Sequence, residues 1–151
     1  MSAPRILIVL TSHKDLGNTG KPTGFWLEEF STPYYAFTDA GATVTLTSIQ
    51  GGEPPLDPKS HQADAQTETT IRFQSDKPSQ EKLANTIPIN EVQASDYDAI
   101  FLPGGHGPMW DFPTSADLIN LIEAFDQENK VIASVCHGVV RLGILILLSK
   151  T

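Results

Sequence analysis

V-I-A-S-V-C-H-G, residues 131–138, is an apolar and β-branched run that stops at one reactive side chain, Cys136. A short apolar run of this kind reads as a buried strand. His137 and Gly138 follow, and then a second apolar run that could start a helix. A strand ending in a tight bend at a cysteine is how an open α/β sheet presents a nucleophile. Upstream, R-I-L-I-V-L-T (Arg5–Thr11) is apolar on both faces, as strands of helix-covered parallel sheets are. After a polar loop, Phe25–Ala40 is predicted as a helix. Trp26, Phe30, Tyr34 and Phe37 form one apolar stripe, and Pro33 is expected to kink or divide it. Gly41 suits a C-cap, and Ala42–Ile49 is a second strand, which completes a βαβ unit.

Gln50–Pro58 is turn-rich. Residues 59–80 are polar, with room for a short helix or a surface excursion, and Gln80–Thr86 for a helical turn. Tyr97–Leu102 is a third core strand that ends at P-G-G-H-G-P, where glycines permit a sharp bend. Ser115–Gln127 is the clearest helix, with Leu118, Leu121, Ile122 and Phe125 on one face. Lys130–Val135 is the fourth strand and Val139–Leu148 the last helix. The pattern predicts a single α/β domain over residues 1–151, with a mainly parallel sheet and helices on both faces.

Among 151 residues the net charge is −8, which argues against a nucleic-acid or anionic-membrane surface. One cysteine cannot form an internal disulfide, so a reducing compartment is expected. The N-terminus lacks the apolar length of a signal peptide, and Leu142–Leu148 is too short to span a bilayer. The cytoplasm is the expected location.

Cys136 sits where α/β folds place their sites, beyond a strand's carboxyl end. The helix expected after it would direct amides at the sulfur and favour thiolate. The rival is an inert core thiol. His137 is either a base for that cysteine or a residue capping the turn. Of Glu28 and Glu29, only one can lie on the inner face of the first helix. Glu28 is the candidate for sharing a proton with the sulfur, the alternative being that both are solvated. The amides of Gly104-Gly105-His106-Gly107 could line an oxyanion pocket. Phosphate-loop and dinucleotide glycine patterns are absent, and His106 faces either the pocket or solvent. The four histidines show no metal-binding spacing, so no metal is expected.

P-G-G-H-G-P-M-W-D-F-P followed by S-V-C-H-G resembles the DJ-1/PfpI superfamily. T-G-F-W-L-E-E-F-S-T-P-Y-Y-A-F and G-G-E-P-P-L-D-P-K-S narrow the resemblance to its Hsp31-like branch, which includes glyoxalase III (D-lactate dehydratase) enzymes. It implies a flavodoxin-like sandwich with Cys136 on a nucleophile elbow and His137 as its catalytic histidine. It also implies that Glu28 hydrogen-bonds the cysteine and that Gly105 and His106 lie beside the pocket. Trp110 and Val139 are expected at the pocket wall, and Asp57 is expected to be structural.

The implied reaction is cofactor-free conversion of a small reactive aldehyde, methylglyoxal, to D-lactate through a cysteine hemithioacetal. The alternatives are a stress-response holdase chaperone, a cysteine-based redox sensor, or a peptidase or amidotransferase-like hydrolase. The branch also places an acidic residue well beyond the histidine, with further strands, and has proline where Val139 stands. With Thr151 as the last residue, the expectation is a domain lacking its C-terminal strands, self-associating as a homodimer or higher oligomer.

Overall fold

Residues 2–139 are described here, from a computed structural model. Five strands form one parallel sheet: β1 (Arg5–Leu10), β2 (Thr43–Ser48), β3 (Ile87–Pro88), β4 (Ala99–Leu102) and β5 (Val131–Ser134). Their order is β3-β2-β1-β4-β5. The direction of winding reverses between β1 and β4, where open α/β sheets leave a crevice at their carboxyl ends. β1 suits the centre of the sheet because Ile6–Leu10 is an unbroken apolar run after the exposed Arg5. Leu7 and Val9 enter one core cluster and Ile8 and Leu10 the other, all without exposed surface.

The helices are α1 (Leu27–Asp39), α2 (Glu68–Ser75), α3 (Lys77–Ala84), α4 (Pro108–Asp111) and α5 (Ala116–Gln127). α1 covers one face of the sheet and α5 the other. None of the described helices is long and apolar enough to cross a membrane.

α5 and its buried face, Leu118, Leu121, Ile122 and Phe125, are as the sequence predicts. Ser115 caps its start by accepting a hydrogen bond from the Leu118 amide at 3.2 Å. α1 differs from expectation in two ways. It runs unbroken through Pro33. Its buried stripe is Leu27, Phe30, Ser31, Tyr34 and Tyr35, with Trp26 outside it. Trp26 has extended backbone at the N-cap (φ −90°, ψ 123°), so its side chain does not follow the helical stripe.

The polar segment 58–84 is more structured than its composition suggests. It holds α2 and α3 after two 3₁₀ turns, where the sequence suggested one short helix and a turn. Each helix has a local start signal. The Thr67 amide donates to Thr70 Oγ1 at 2.8 Å, and Asp76 accepts from the Ser79 amide at 3.2 Å. Their contacts with α1 are partly polar, which hides them from hydrophobic periodicity. Tyr34 Oη lies 2.9 Å from Ser79 Oγ, and the Tyr35 hydroxyl donates to Asp76 at 2.8 Å. Phe73 adds an edge-on contact with Phe30, ring centroids 5.6 Å apart. The two-residue β3, not foreseen, pairs with Thr47 and Ser48. Apart from Val139, which ends a 3₁₀ turn begun at Cys136, the helix expected over 139–148 lies outside the described residues.

Candidate active site

The site lies beyond the carboxyl ends of β4 and β5. β5 is held to β4 to its last turn, where the Val135 amide donates to the Leu102 carbonyl at 3.2 Å. The chain then bends, and Cys136 adopts φ 52°. Left-handed backbone is uncommon for a residue with a side chain, and such strain clusters at functional positions. The bend lifts the cysteine to an exposed position. Gly138 passes over the end of β4 so closely that a Cβ there would stand 2.4 Å from the Leu102 carbonyl oxygen. That approach explains the glycine in C-H-G.

Cys136 shares a cavity of about 240 Å³ with Trp26, Glu29, Gly105 and His106. Glu29 Oε1 is shut off from solvent. A Cβ on Gly104 would lie 2.7 Å from that oxygen and 2.6 Å from the Cys136 Cβ. Carboxylate and cysteine therefore face one another across a bare glycine.

The sequence pointed to Glu28, and the structure corrects this. Glu29 lines the cavity and Glu28 does not. Because Trp26 faces the cavity rather than the core stripe, the residue three positions on shares its side of the helix. Trp26 and Glu29 at i and i+3 are the signal that the misplaced stripe concealed.

Three close approaches hold the glycine loop in place. The Trp26 amide donates to the Gly104 carbonyl at 3.1 Å, and the Gly107 amide to the Gly24 carbonyl at 3.2 Å. Gly105, at φ 108°, would carry a Cβ only 2.4 Å from the Gly24 carbonyl oxygen. Asp57 is buried beneath this loop. Its carboxylate accepts from Thr23 Oγ1 and the Lys59 amide, each at 3.0 Å, and lies 3.9 Å from His106 Nδ1. It thus holds the loop segments together, in keeping with a structural role.

Trp110, expected at the pocket wall, is not among the residues lining the cavity. α4 carries it outward, where it stacks on His13 with ring centroids 4.9 Å apart. The side chains of His137 and Val139 lie outside the described residues. Among the described residues, no cluster of three or more His, Cys, Asp or Glu could hold a metal ion.

Asp111, next to Trp110, clamps α4 to the loop after β1. It accepts from Thr11 Oγ1 at 2.8 Å and the Ser12 amide at 2.7 Å. Burial pushes its carboxyl above the ordinary 3.8, and these two hydrogen bonds only partly offset that. Between 3.8 and the raised native value the folded chain binds more protons than the unfolded chain. Asp111 therefore makes stability fall as pH rises through that window. Asp111→Asn is expected to remove this component. Urea midpoints measured at acidic and neutral pH should then rise more steeply with pH, or fall less, in the variant. An unchanged slope would contradict the assignment.

The sequence model of the DJ-1/PfpI family matches residues 22–148. This chain belongs to the DJ-1/PfpI family. Within it, the chain is 31% identical over 142 residues to the glutathione-independent glyoxalase HSP31 of Saccharomyces cerevisiae, covering 91% of this chain and 59% of that one. Among solved structures, it is similar to Rapid Encystment Protein 24 kDa of Francisella tularensis, with TM-score 0.85 and 37% identity over 92% of this chain and 61% of that one. Glyoxalase III of Candida albicans aligns with TM-score 0.81 and 26% identity, over 90% of this chain and 58% of that one. The chain thus spans about three fifths of the length of these DJ-1/PfpI relatives.

Proposed function

We propose that this chain carries the cysteine site of a glutathione-independent glyoxalase, converting methylglyoxal to D-lactate. The observation that carries this reading is Cys136 on a left-handed bend at the end of β5, sharing one cavity with Glu29, Gly105 and His106. The names of the yeast and Candida relatives support the same chemistry.

In the proposed reaction the Cys136 thiolate attacks the aldehyde carbon of methylglyoxal. An S–C bond forms, and the carbonyl oxygen takes a proton to give a hemithioacetal. A base removes the hydrogen from that carbon, and a proton returns to the neighbouring ketone carbon, leaving 2-hydroxypropanoyl thioester on the cysteine. Water then cleaves the thioester, releasing lactate and regenerating the thiol. One carbon is oxidised and its neighbour reduced, so the reaction balances with water as the only co-reactant. Glu29, which lines the same cavity, is the candidate for holding the sulfur's proton and for moving the carbon-bound proton to the neighbouring carbon, and His137 is the second candidate base. Gly105 and His106 are the candidates for holding the substrate oxygens.

Incubation of the chain with methylglyoxal and no glutathione, followed by a chiral lactate assay, tests the reading. D-lactate is the expected product. Its absence, or racemic lactate at the buffer rate, would overturn the proposal. Within the same assay, Glu29→Gln is expected to lower turnover by about 10²- to 10³-fold, while Glu28→Gln leaves it near wild type. The reverse ranking would return the role to Glu28.

A further inference from the structure

We propose that Trp26 is the specificity-determining wall of the cysteine cavity, seating the group on a substrate's ketone carbon and favouring 2-oxoaldehydes with an aryl substituent. This rests on the glyoxalase reading above and names a substrate class within it. Among the described residues lining the cavity, Glu29 and His106 are polar, Gly105 has no side chain and Cys136 is the reacting group. The indole of Trp26 is the one extended apolar surface left. The cavity measures about 240 Å³, roughly eight water volumes at about 30 Å³ each. Methylglyoxal, with one methyl beyond its two carbonyls, leaves much of that space unfilled.

The backbone fixes where this ring stands. Phe25 and Leu27, on either side, are buried in the core, which anchors the chain at both neighbours. The Trp26 amide is tied to Gly104, and its carbonyl accepts from the Phe30 amide at 3.3 Å. A Cβ on Gly105 would lie 2.8 Å from the Trp26 nitrogen, so the loop beside the cysteine closes directly on this residue. The side chain is half-buried, and among the described residues no other ring stacks on it and no cation lies over it. An indole on an anchored backbone, its faces not engaged by another ring, packs a flat apolar group at little ordering cost. With the sulfur on the aldehyde carbon, the ketone's substituent is the one part of the substrate that needs no polar partner. Packing it on Trp26 leaves the two oxygens to the glycine loop. Phenylglyoxal and water then give mandelate by the same bond changes that give lactate.

Initial rates with methylglyoxal and phenylglyoxal, without glutathione, test this, reading lactate and mandelate. The wild-type chain should favour phenylglyoxal in kcat/KM by about tenfold or more. Trp26→Ala should erase that preference, chiefly by raising KM for phenylglyoxal, and Trp26→Phe should keep most of it. A second readout needs no turnover. Cys136 is the sole cysteine, and its thiolate displaces chloride from chloroacetone or 2-chloroacetophenone, forming an S–C bond beside a methyl or phenyl ketone. Relative to free N-acetylcysteine, the aryl reagent should gain a similar factor in the wild type and in Trp26→Phe, and lose it in Trp26→Ala. A Trp26-dependent alkylation preference with no acid from either aldehyde would overturn the glyoxalase reading alone and uphold Trp26 as the aryl wall. No aryl preference in the wild type, or one unchanged in Trp26→Ala, would overturn the proposal.

Discussion

Cys136→Ser is expected to abolish D-lactate formation, with a loss on the order of 10⁴-fold or more, as when a nucleophile is deleted from a concerted site. Serine keeps the shape of the side chain and tolerates the same backbone, so the fold should survive with its melting midpoint unchanged. What it lacks is an ionisable thiol. A hydroxyl at neutral pH is a poor nucleophile without a dedicated base, whereas a thiol is already partly thiolate. Cys136 is the sole cysteine of the chain, so one thiol-alkylation assay reports on this position alone. Two readouts should therefore fall together, lactate production and iodoacetamide labelling. If lactate forms at the wild-type rate in the variant, the hemithioacetal route is wrong even though the cavity exists.

Gly24→Ala is the second large effect, and it acts on the scaffold. A Cβ at position 24 would lie 2.0 Å from the Pro55 carbonyl oxygen and 2.4 Å from its carbon. Both are backbone atoms in a segment pinned on either side. The Phe25 amide donates to that same Pro55 carbonyl at 2.9 Å, and the Asp57 amide donates back to Phe25 at 2.9 Å. Neither strand of this contact can yield without breaking the other's hydrogen bonds. The cost should reach or exceed the upper end of the 1–3 kcal/mol usual for overpacking, about 3 kcal/mol. In a domain of this size that lowers the melting midpoint by roughly 6–12 °C. Because the Gly24 carbonyl also receives the Gly107 amide, cysteine labelling should change as well. A variant with wild-type melting and labelling would show that the loop relaxes freely.

Much of the architecture was legible from residue pattern alone. β1, β2, β4, β5 and α5 are carried by apolar runs or one-faced stripes, and each lies within a residue or two of its predicted bounds, but β5, read as a buried strand, is exposed at Val131 and Ala133. The elements that the sequence pattern bounded least well are those whose burial is polar or brief. α2 and α3 dock through Tyr34, Tyr35, Ser79 and Asp76, which hydrophobic periodicity does not register. β3 has only two residues and depends wholly on its neighbour, β2.

At the site, Cys136, Gly105 and His106 were legible because they sit at strand ends marked by abrupt changes in composition. Glu29 was missed by one position. The choice between adjacent glutamates depends on helix phase, and that phase depended on whether Trp26 was a helical residue or a cap. Trp110 was misplaced for a related reason. The short α4 rotates it outward, and nothing in P-M-W-D announces that turn.

The sheet order has a consequence for how the site comes into being. The residues around the cysteine come from segments near positions 26, 105 and 136, far apart along the chain. Parallel pairing allows no local hairpin shortcut, so each strand must close a long loop before it is rewarded. Among the described residues β5 pairs with the sheet through β4 alone, so strands β1 to β4 can pair with one another without it. The cavity is expected to be complete only once β5 docks on β4 and brings Cys136 beside Gly104. Slow-phase refolding amplitude and the appearance of native thiol reactivity should share one time constant, making this cysteine a built-in clock for the closing step of folding.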